Sequence, residues 1–297
     1  MTTPTDTGTD DDAILRDVAA RVPELAQATH LSVTHLVGGL TNRNYLVGTD
    51  DVQFVIRIAG ENGPLLGVDR AREKDVIDIV EAAGITPQLA AFVLPDGHAA
   101  TRFLAGAHAL SIDEFTSPAM VPRLAAKLRE VHNLGPVQGV FDPHADITRW
   151  MDLLRSKGTP LPSRLDPLLE LVAASHAVRP RPAEHEMVLC HNDPYHLNFL
   201  DDGTLWLIDW EYAGMNDPMY DLAGIAYTLD DKGRDLLLEA YFGSVAPQTR
   251  RDLEALMPVY LCWNVVWSLI QIDGGLRGFD YFSYSEELLD WMPALRT

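Results

Sequence analysis

Apolar and polar positions divide the chain into two regimes. Over residues 31–103, short β-branched and aromatic runs alternate with turn residues, the mark of strands. Such runs occupy 31–37, 44–47 and 52–59, with Gly38-Gly39 and Asp50-Asp51 between them. The period then lengthens. Val76, Ile79, Val80 and Ala83 recur at i, i+3, i+4 and i+7, which predicts a helix over 72–83 that Gly84 stops. Two further strands, 89–94 and 99–103, flank the turn Pro95-Asp96-Gly97-His98.

Beyond Gly106 the pattern is mostly helical. Helices are predicted over 118–132, 165–177, 217–229, 233–241, 249–272 and 286–292, with short strands at 187–189 and 205–208. No internal repeat is visible. The expected fold is α+β and bilobal. A β-rich lobe with one main helix spans 13–103, and a larger, mostly helical lobe spans 104–297. A hinge over 102–108 joins them, and residues 1–12 form a disordered tail. Ligands commonly sit between two such lobes.

Composition narrows the function. Asp plus Glu number 43 against 23 Lys plus Arg, a formal net charge of −20. No basic excess exists to neutralise phosphates, so no nucleic-acid partner is expected. The two cysteines, Cys190 and Cys262, make no disulfide framework, and a reducing cytoplasm is the natural reading. The polar, acidic start lacks the features of a signal peptide. The near-apolar stretch 260–272 is too short to span a membrane, so no insertion is expected.

The segment 191–199 reads HNDPYHLNF, and it sets His191, Asp193 and Asn198 in the spacing H-x-D-x-x-x-x-N. Eleven residues after Asn198 comes Asp209, in LIDWEYAG. These are also ordinary turn residues. Together they supply what phosphoryl transfer needs: a carboxylate to orient the attacking hydroxyl, and oxygen ligands for magnesium. Protein kinases divide the work in this way. GGLTNRNY contributes Gly38, Gly39, Thr41 and Asn42 to a turn whose N–H groups could hold phosphate. Arg57 is a charge on an apolar strand, suited to gripping phosphates, with Glu73 on the next helix to orient it. The hinge residues Arg102, Phe103 and Leu104 are expected to border the nucleotide.

These motifs, with FVIRI, CHNDPYHLNFL, LIDWEYAGMNDPMYDLA and WSLIQ followed by FDYFSY, resemble the choline/ethanolamine kinase branch of the aminoglycoside-phosphotransferase-like kinases. Bacterial choline kinases are the nearer likeness. The resemblance covers nearly all the chain from Val37 onward. It implies a protein-kinase-like fold, ATP and magnesium as cofactors, and a small cationic alcohol as substrate. It gives Asp193 the base role, Asn198 and Asp209 metal roles, and Glu211 a lesser metal role.

Choline cannot donate an N–H hydrogen bond, so its enzyme must use aromatic faces and negative potential. Candidates for the substrate are Trp210, Tyr227, Trp263, Trp267 and Tyr284, with Asp221 as a carboxylate. The family spaces two tryptophans by three, and Asn264 stands where the first would fall. An aromatic stripe at helical spacing is also a plain packing face. Asp217 is expected to cap a helix, and His132 and His191 to be structural, with His191 bracing the catalytic loop. The expected reaction converts ATP and choline to phosphocholine and ADP. Rivals are the same chemistry on ethanolamine, an aminoglycoside, thiamine or another amino alcohol, and an inactive nucleotide-binding regulator. Oligomeric state is not legible.

Overall fold

A computed structural model of the chain describes residues 9–37, 40–273 and 279–296. The chain forms two compact units, Met1–Ala107 and His108–Thr297. Gly38 and Gly39 of the predicted phosphate turn lie outside the described residues.

The first unit opens with helices α1 (Thr9–Ala20) and α2 (Pro23–Ala26). Strands β1 (Ser32–Leu36), β2 (Arg43–Gly48) and β3 (Gln53–Ile58) follow, then helices α3 (Gly63–Leu66) and α4 (Arg70–Ala82), then β4 (Leu89–Val93) and β5 (His98–Arg102). The strands form an antiparallel sheet in the order β1-β2-β3-β5-β4.

Strand β3 alternates buried and half-buried positions. Phe54, Ile56 and Ile58 join Leu15, Val18, Ala19 and Val22 of the N-terminal segment in one apolar cluster. Successive side chains on a strand point to opposite faces, so Val55 and Arg57 face the other way. Helix α1 corrects the expected tail, because residues 9–12 are helical. Asp11 is buried there and accepts bonds from Arg43 at 2.7 and 2.8 Å and from the Tyr45 hydroxyl at 2.7 Å.

The second unit contains strand β6 (His108–Ala109) and helices α5 (Ile112–Phe115), α6 (Val121–His132), α7 (Pro143–Lys157) and α8 (Leu165–Val178). Strands β7 (Val188–Cys190), β8 (Phe199–Asp201), β9 (Leu205–Leu207) and β10 (Gly214–Asn216) come next. Helices α9 (Pro218–Ala226), α10 (Asp231–Phe242), α11 (Pro247–Asp273) and α12 (Tyr281–Leu289) follow, and a short 3-10 helix covers Met292–Arg296. Helix α11 is the hub and packs on α7, α8, α9 and α12.

Helix α11 is longer than the near-apolar stretch suggested. Over Pro247–Ile272 it is long and apolar enough to cross a membrane by length and composition, but 83% of its most apolar 18 residues are buried inside the protein. Its later turns are those of a core helix, apolar because neighbours surround them, while its first turns carry charge.

Candidate active site

The site is assembled on short strands of the second unit. Strands β8 and β9 pair with Phe199 opposite Leu207, and the Ile208 N–H donates to the Asn198 carbonyl at 2.9 Å. That register places Asn198 and Asp209 at the same end of one hairpin, although eleven residues separate them in sequence. Asp209 has φ 67°, in the left-handed region. Asp tolerates that region better than most residues, and a side chain held there is aimed by its backbone.

Asp193 sits on the loop between β7 and β8. The Asn198 amide nitrogen donates to its carboxylate at 3.1 Å and to its carbonyl at 3.0 Å. The Tyr260 hydroxyl donates to the other carboxylate oxygen at 3.2 Å. Burial pushes the Asp193 carboxyl up to about 6, against the lowering effect of Tyr260 and Asn198, with the charges of Glu211 and Asp221 adding to the rise. A carboxylate so enclosed holds a proton more readily than one in water.

The loop is braced from beneath. The imidazole of His191 is fully buried and donates from Nε2 to the Ile208 carbonyl at 2.9 Å. Its Nδ1 accepts the Asp193 N–H at 3.2 Å, so the ring is a neutral tautomer, and burial holds its pKa below the ordinary value. Asn192 has φ 67°. Its amide donates to the Tyr212 carbonyl at 2.9 Å and its oxygen accepts from Asn216 at 2.8 Å. Asp221 accepts the His191 N–H at 2.8 Å and the Asn192 N–H at 2.7 Å.

Asp221 was expected at the substrate. It is fully buried and its oxygens are taken up by the catalytic loop, so it positions that loop instead. Asp217 caps α9, accepting from the Met219 N–H at 2.9 Å, and also pairs with Arg179.

Two predicted substrate tryptophans belong to the core. Trp210 is 2% exposed, donates to the Leu207 carbonyl at 3.2 Å and stacks edge-on against His191. Trp263 is 1% exposed, donates to Asp146 at 3.3 Å and packs against Phe141, Trp150 and Tyr212. Neither indole has surface left for a ligand. Trp267 is nearly buried and donates to the Tyr212 hydroxyl at 2.7 Å.

A different set of rings surrounds Asp193. The phenols of Tyr195, Tyr227, Tyr260 and Tyr284 are raised first by burial and then by neighbouring groups, among them the Asp193 charge. Tyr195 and Tyr284 share a hydrogen bond. Tyr227 is buried and stacks on Tyr260 and Trp291. Tyr195, Tyr260 and Trp291 were not among the predicted site residues. Tyr260 precedes Trp267 by seven positions on α11, the one local signal that could have pointed to it.

The first unit carries its own polar cluster. Glu73 of α4 is buried and pairs with Arg57 at 2.5 Å and with Arg70 at 2.7 Å. Arg57 also donates to the Gly97 carbonyl at 2.9 Å. The expected Arg57–Glu73 pair is present, and Arg70 is an addition. Gly97 has φ 83°, and a Cβ there would come within 2.3 Å of the Arg70 side chain, so only glycine lets that side chain pass.

Asn42 accepts the Gly60 N–H at 3.1 Å, bracing the turn it shares with Thr41. The Phe103 N–H donates to the Gln53 carbonyl at 3.0 Å, and Leu104 accepts from Ala107. Arg102 stands opposite Phe54 in the register, with its guanidinium over that ring. Paired residues share a face, so its side chain points away from the face carrying Arg57, contrary to a nucleotide role.

The donor set fits a hard divalent cation. Because both Asn198 contacts to Asp193 use its nitrogen, the carboxamide oxygen is the atom left for a metal. Asp209 supplies a carboxylate from the same hairpin end, and Glu211 a nearly buried one two residues on. All are oxygen ligands, which suit Mg²⁺.

Known proteins are similar to this chain over most of its length. Protein LicA of Haemophilus influenzae is 28% identical over 273 residues, covering 86% of this chain and 77% of the relative. A solved choline/ethanolamine kinase family protein from Mesorhizobium loti superposes with a TM-score of 0.78 at 28% identity, covering 97% of this chain and 95% of that one. Choline kinase LicA from Streptococcus pneumoniae gives 0.78 at 21% identity, covering 97% and 99%. These likenesses establish the α+β, protein-kinase-like fold. The model of the phosphotransferase enzyme family matches residues 32–256, so the chain belongs to that family and is an enzyme that moves a phosphoryl group to an alcohol.

Proposed function

We propose that this enzyme is a choline kinase, taking ATP and Mg²⁺ and giving phosphocholine and ADP. The observation that carries this reading is the Asp193 carboxylate, held by Asn198 and Tyr260 within a group of tyrosines. Phosphoryl transfer asks little covalent chemistry of a protein and much positioning. Asp193 accepts the hydrogen bond of the choline hydroxyl, aims its oxygen at the γ-phosphorus and takes up its proton as the new P–O bond forms and ADP leaves. A carboxyl with raised proton affinity suits that task. Asn198, Asp209 and Glu211 would hold Mg²⁺, which neutralises charge on the transferring phosphates when bound. Arg57, oriented by Glu73, grips phosphate oxygens.

The quaternary ammonium would lie against the rings of Tyr195, Tyr284 and Trp291, which keep some exposed surface. A choline kinase, LicA from Streptococcus pneumoniae, is among the similar structures, and the Haemophilus influenzae relative shares its name, which supports choline as the acceptor to test first.

A second reading rests on Asn264. It stands in place of a ring and donates to the Tyr260 carbonyl at 3.0 Å, so its oxygen is turned out as an acceptor. A primary ammonium could donate to that oxygen, and ethanolamine is the acceptor it would favour.

ADP release measured against choline, ethanolamine, thiamine and an aminoglycoside tests both. Choline should give the highest kcat/KM. A tenfold preference for ethanolamine would replace the first reading with the second. Asp193→Ala should lose turnover by about 10³-fold while retaining nucleotide binding. An active variant would remove Asp193 from its role.

A further inference from the structure

Two imidazoles that the transfer reaction does not use meet where helices α7 and α8 come together. His144 is the second residue of α7, and His176 lies in the last turn of α8. Their ring centroids stand 4.1 Å apart, with the planes tilted by 30°. Both rings line a cavity of about 720 Å³ on the second unit. Among the described residues, no nitrogen of either ring has a hydrogen-bond partner. A histidine held for structure usually anchors a nitrogen, as His191 does on the Ile208 carbonyl. This pair leaves all four nitrogens uncommitted.

The surrounding charges favour a cation. The cavity is also lined by Asp142, Arg149, Asp152 and Arg181. Arg149 pairs with Asp146 at 2.8 Å and Arg181 with Asp142 at 2.5 Å, so both guanidinium groups are already neutralised. Asp152 has no partner among the described residues, which leaves one negative charge in excess. The rings themselves resist charging. A proton on each would set like charges side by side, and burial together with the His176 charge already holds the His144 pKa down. A neutral imidazole is the form that ligates metals.

We propose that His144 and His176 form a metal site for a borderline divalent cation such as Zn²⁺, bridging α7 and α8. Imidazole suits zinc, nickel and copper, whereas magnesium takes oxygen ligands, so this site is chemically distinct from the one built on Asn198 and Asp209. Two nitrogens at about 2.0–2.1 Å from one tetrahedral zinc are about 3.4 Å apart. Rings with centroids 4.1 Å apart need only a small turn to share an ion. No third side chain joins them in a preformed triad among the described residues. Water from the cavity therefore completes the coordination, and the site is exchangeable rather than closed. Its consequence is mechanical. Helices α7 and α8 both pack on α11, which brings Tyr260 to Asp193. An ion held across them ties together two of the helices that seat α11, and it stabilises the folded chain by mass action.

The test is calorimetric titration of the full-length enzyme, free of any affinity tag, with zinc chloride. Millimolar Mg²⁺ is present throughout to occupy the oxygen donors. One zinc should bind per chain, and His144→Gln and His176→Gln should each weaken it by at least about tenfold. Saturating zinc should raise the wild-type Tm by about 2–4 °C and leave that of His176→Gln unmoved. Electron paramagnetic resonance of the Cu²⁺ form should show coupling to two imidazole nitrogens. Without zinc, both variants should turn over as wild type.

Zinc bound as tightly by both variants as by wild type would put the ion elsewhere and overturn the proposal. So would the absence of binding at submillimolar zinc, or a copper spectrum with one nitrogen or none. His176 is exposed, so His176→Gln decides the matter should His144→Gln fail to fold. Neither histidine takes part in phosphoryl transfer, and each of these results leaves the reading of Asp193 as it stands.

Discussion

At the residue scale the most constrained group is the Glu73 carboxylate. It has no exposed side-chain surface and faces two guanidinium groups, Arg57 and Arg70, themselves 14% and 10% exposed. Pairing of this kind does little for net stability, because desolvation cancels most of the attraction. Its removal is another matter, since two like charges would remain buried side by side. Glu73→Ala should cost about 3–5 kcal/mol in urea unfolding. Glu73→Gln, which can still bond both arginines, should cost less and raise the nucleotide KM. A Glu73→Ala protein within about 1 kcal/mol of wild type would show that the arginines find other partners, and the orienting role would fall with it.

At the scale of elements, helix α1 shows how tertiary packing converts an unpromising segment into structure. Its first turn holds Asp10, Asp11 and Asp12, where negative charge favours the helix N-terminus. Leu15, Val18, Ala19 and Val22 then cover the sheet face made by Phe54, Ile56 and Ile58. Leu15→Ala should therefore destabilise the protein by about 2–4 kcal/mol, the cost of a core cavity, in chemical unfolding. A loss below about 0.5 kcal/mol would mean the helix is only laid against the surface.

The acidic run concealed this helix in the sequence, while the alternation of β3 and the catalytic spacing of Asp193, Asn198 and Asp209 were plain because they are local. Helix α7 was missed for the same reason as α1: its apolar positions are diluted by charge. What local pattern could not give was partnership across distance. Tyr260 meets Asp193 from 67 residues away, and Asp221 meets His191 from 30. Nor could it tell which indoles face the core. Trp210 and Trp263 looked like ligands because a ring in sequence reads alike whether it meets substrate or, as here, the Leu207 carbonyl and Asp146.

At the scale of the whole molecule, charge and burial together set the response to acid. The chain carries a formal charge of −20, and mild acid relieves some of that repulsion. Several buried groups respond on their own account. Asp193, raised to about 6, favours the folded state as pH falls from 6 toward 3.8. His144 works the other way. Its ring stacks 4.1 Å from that of His176, centroid to centroid. Burial holds its pKa down at about 4, helped by the charges of His176 and Arg181 and opposed by that of Asp142.

An unfolded histidine takes its proton near 6.5. Between 6.5 and 4 the unfolded chain therefore binds more protons at this position, and stability declines with falling pH. The contribution is complete above 6.5 and exhausted below 4. The ring is partly open to water, so the loss should be about 1–2 kcal/mol, less than the full shift implies. Subtraction isolates it from the other titrations. The stability of wild type minus that of His144→Gln, each from urea unfolding, should fall by that amount between pH 7 and pH 4.5. A difference that stays flat across the range would mean that His144 is protonated in the native state as easily as in the unfolded one, and that the stacked pair opens without cost.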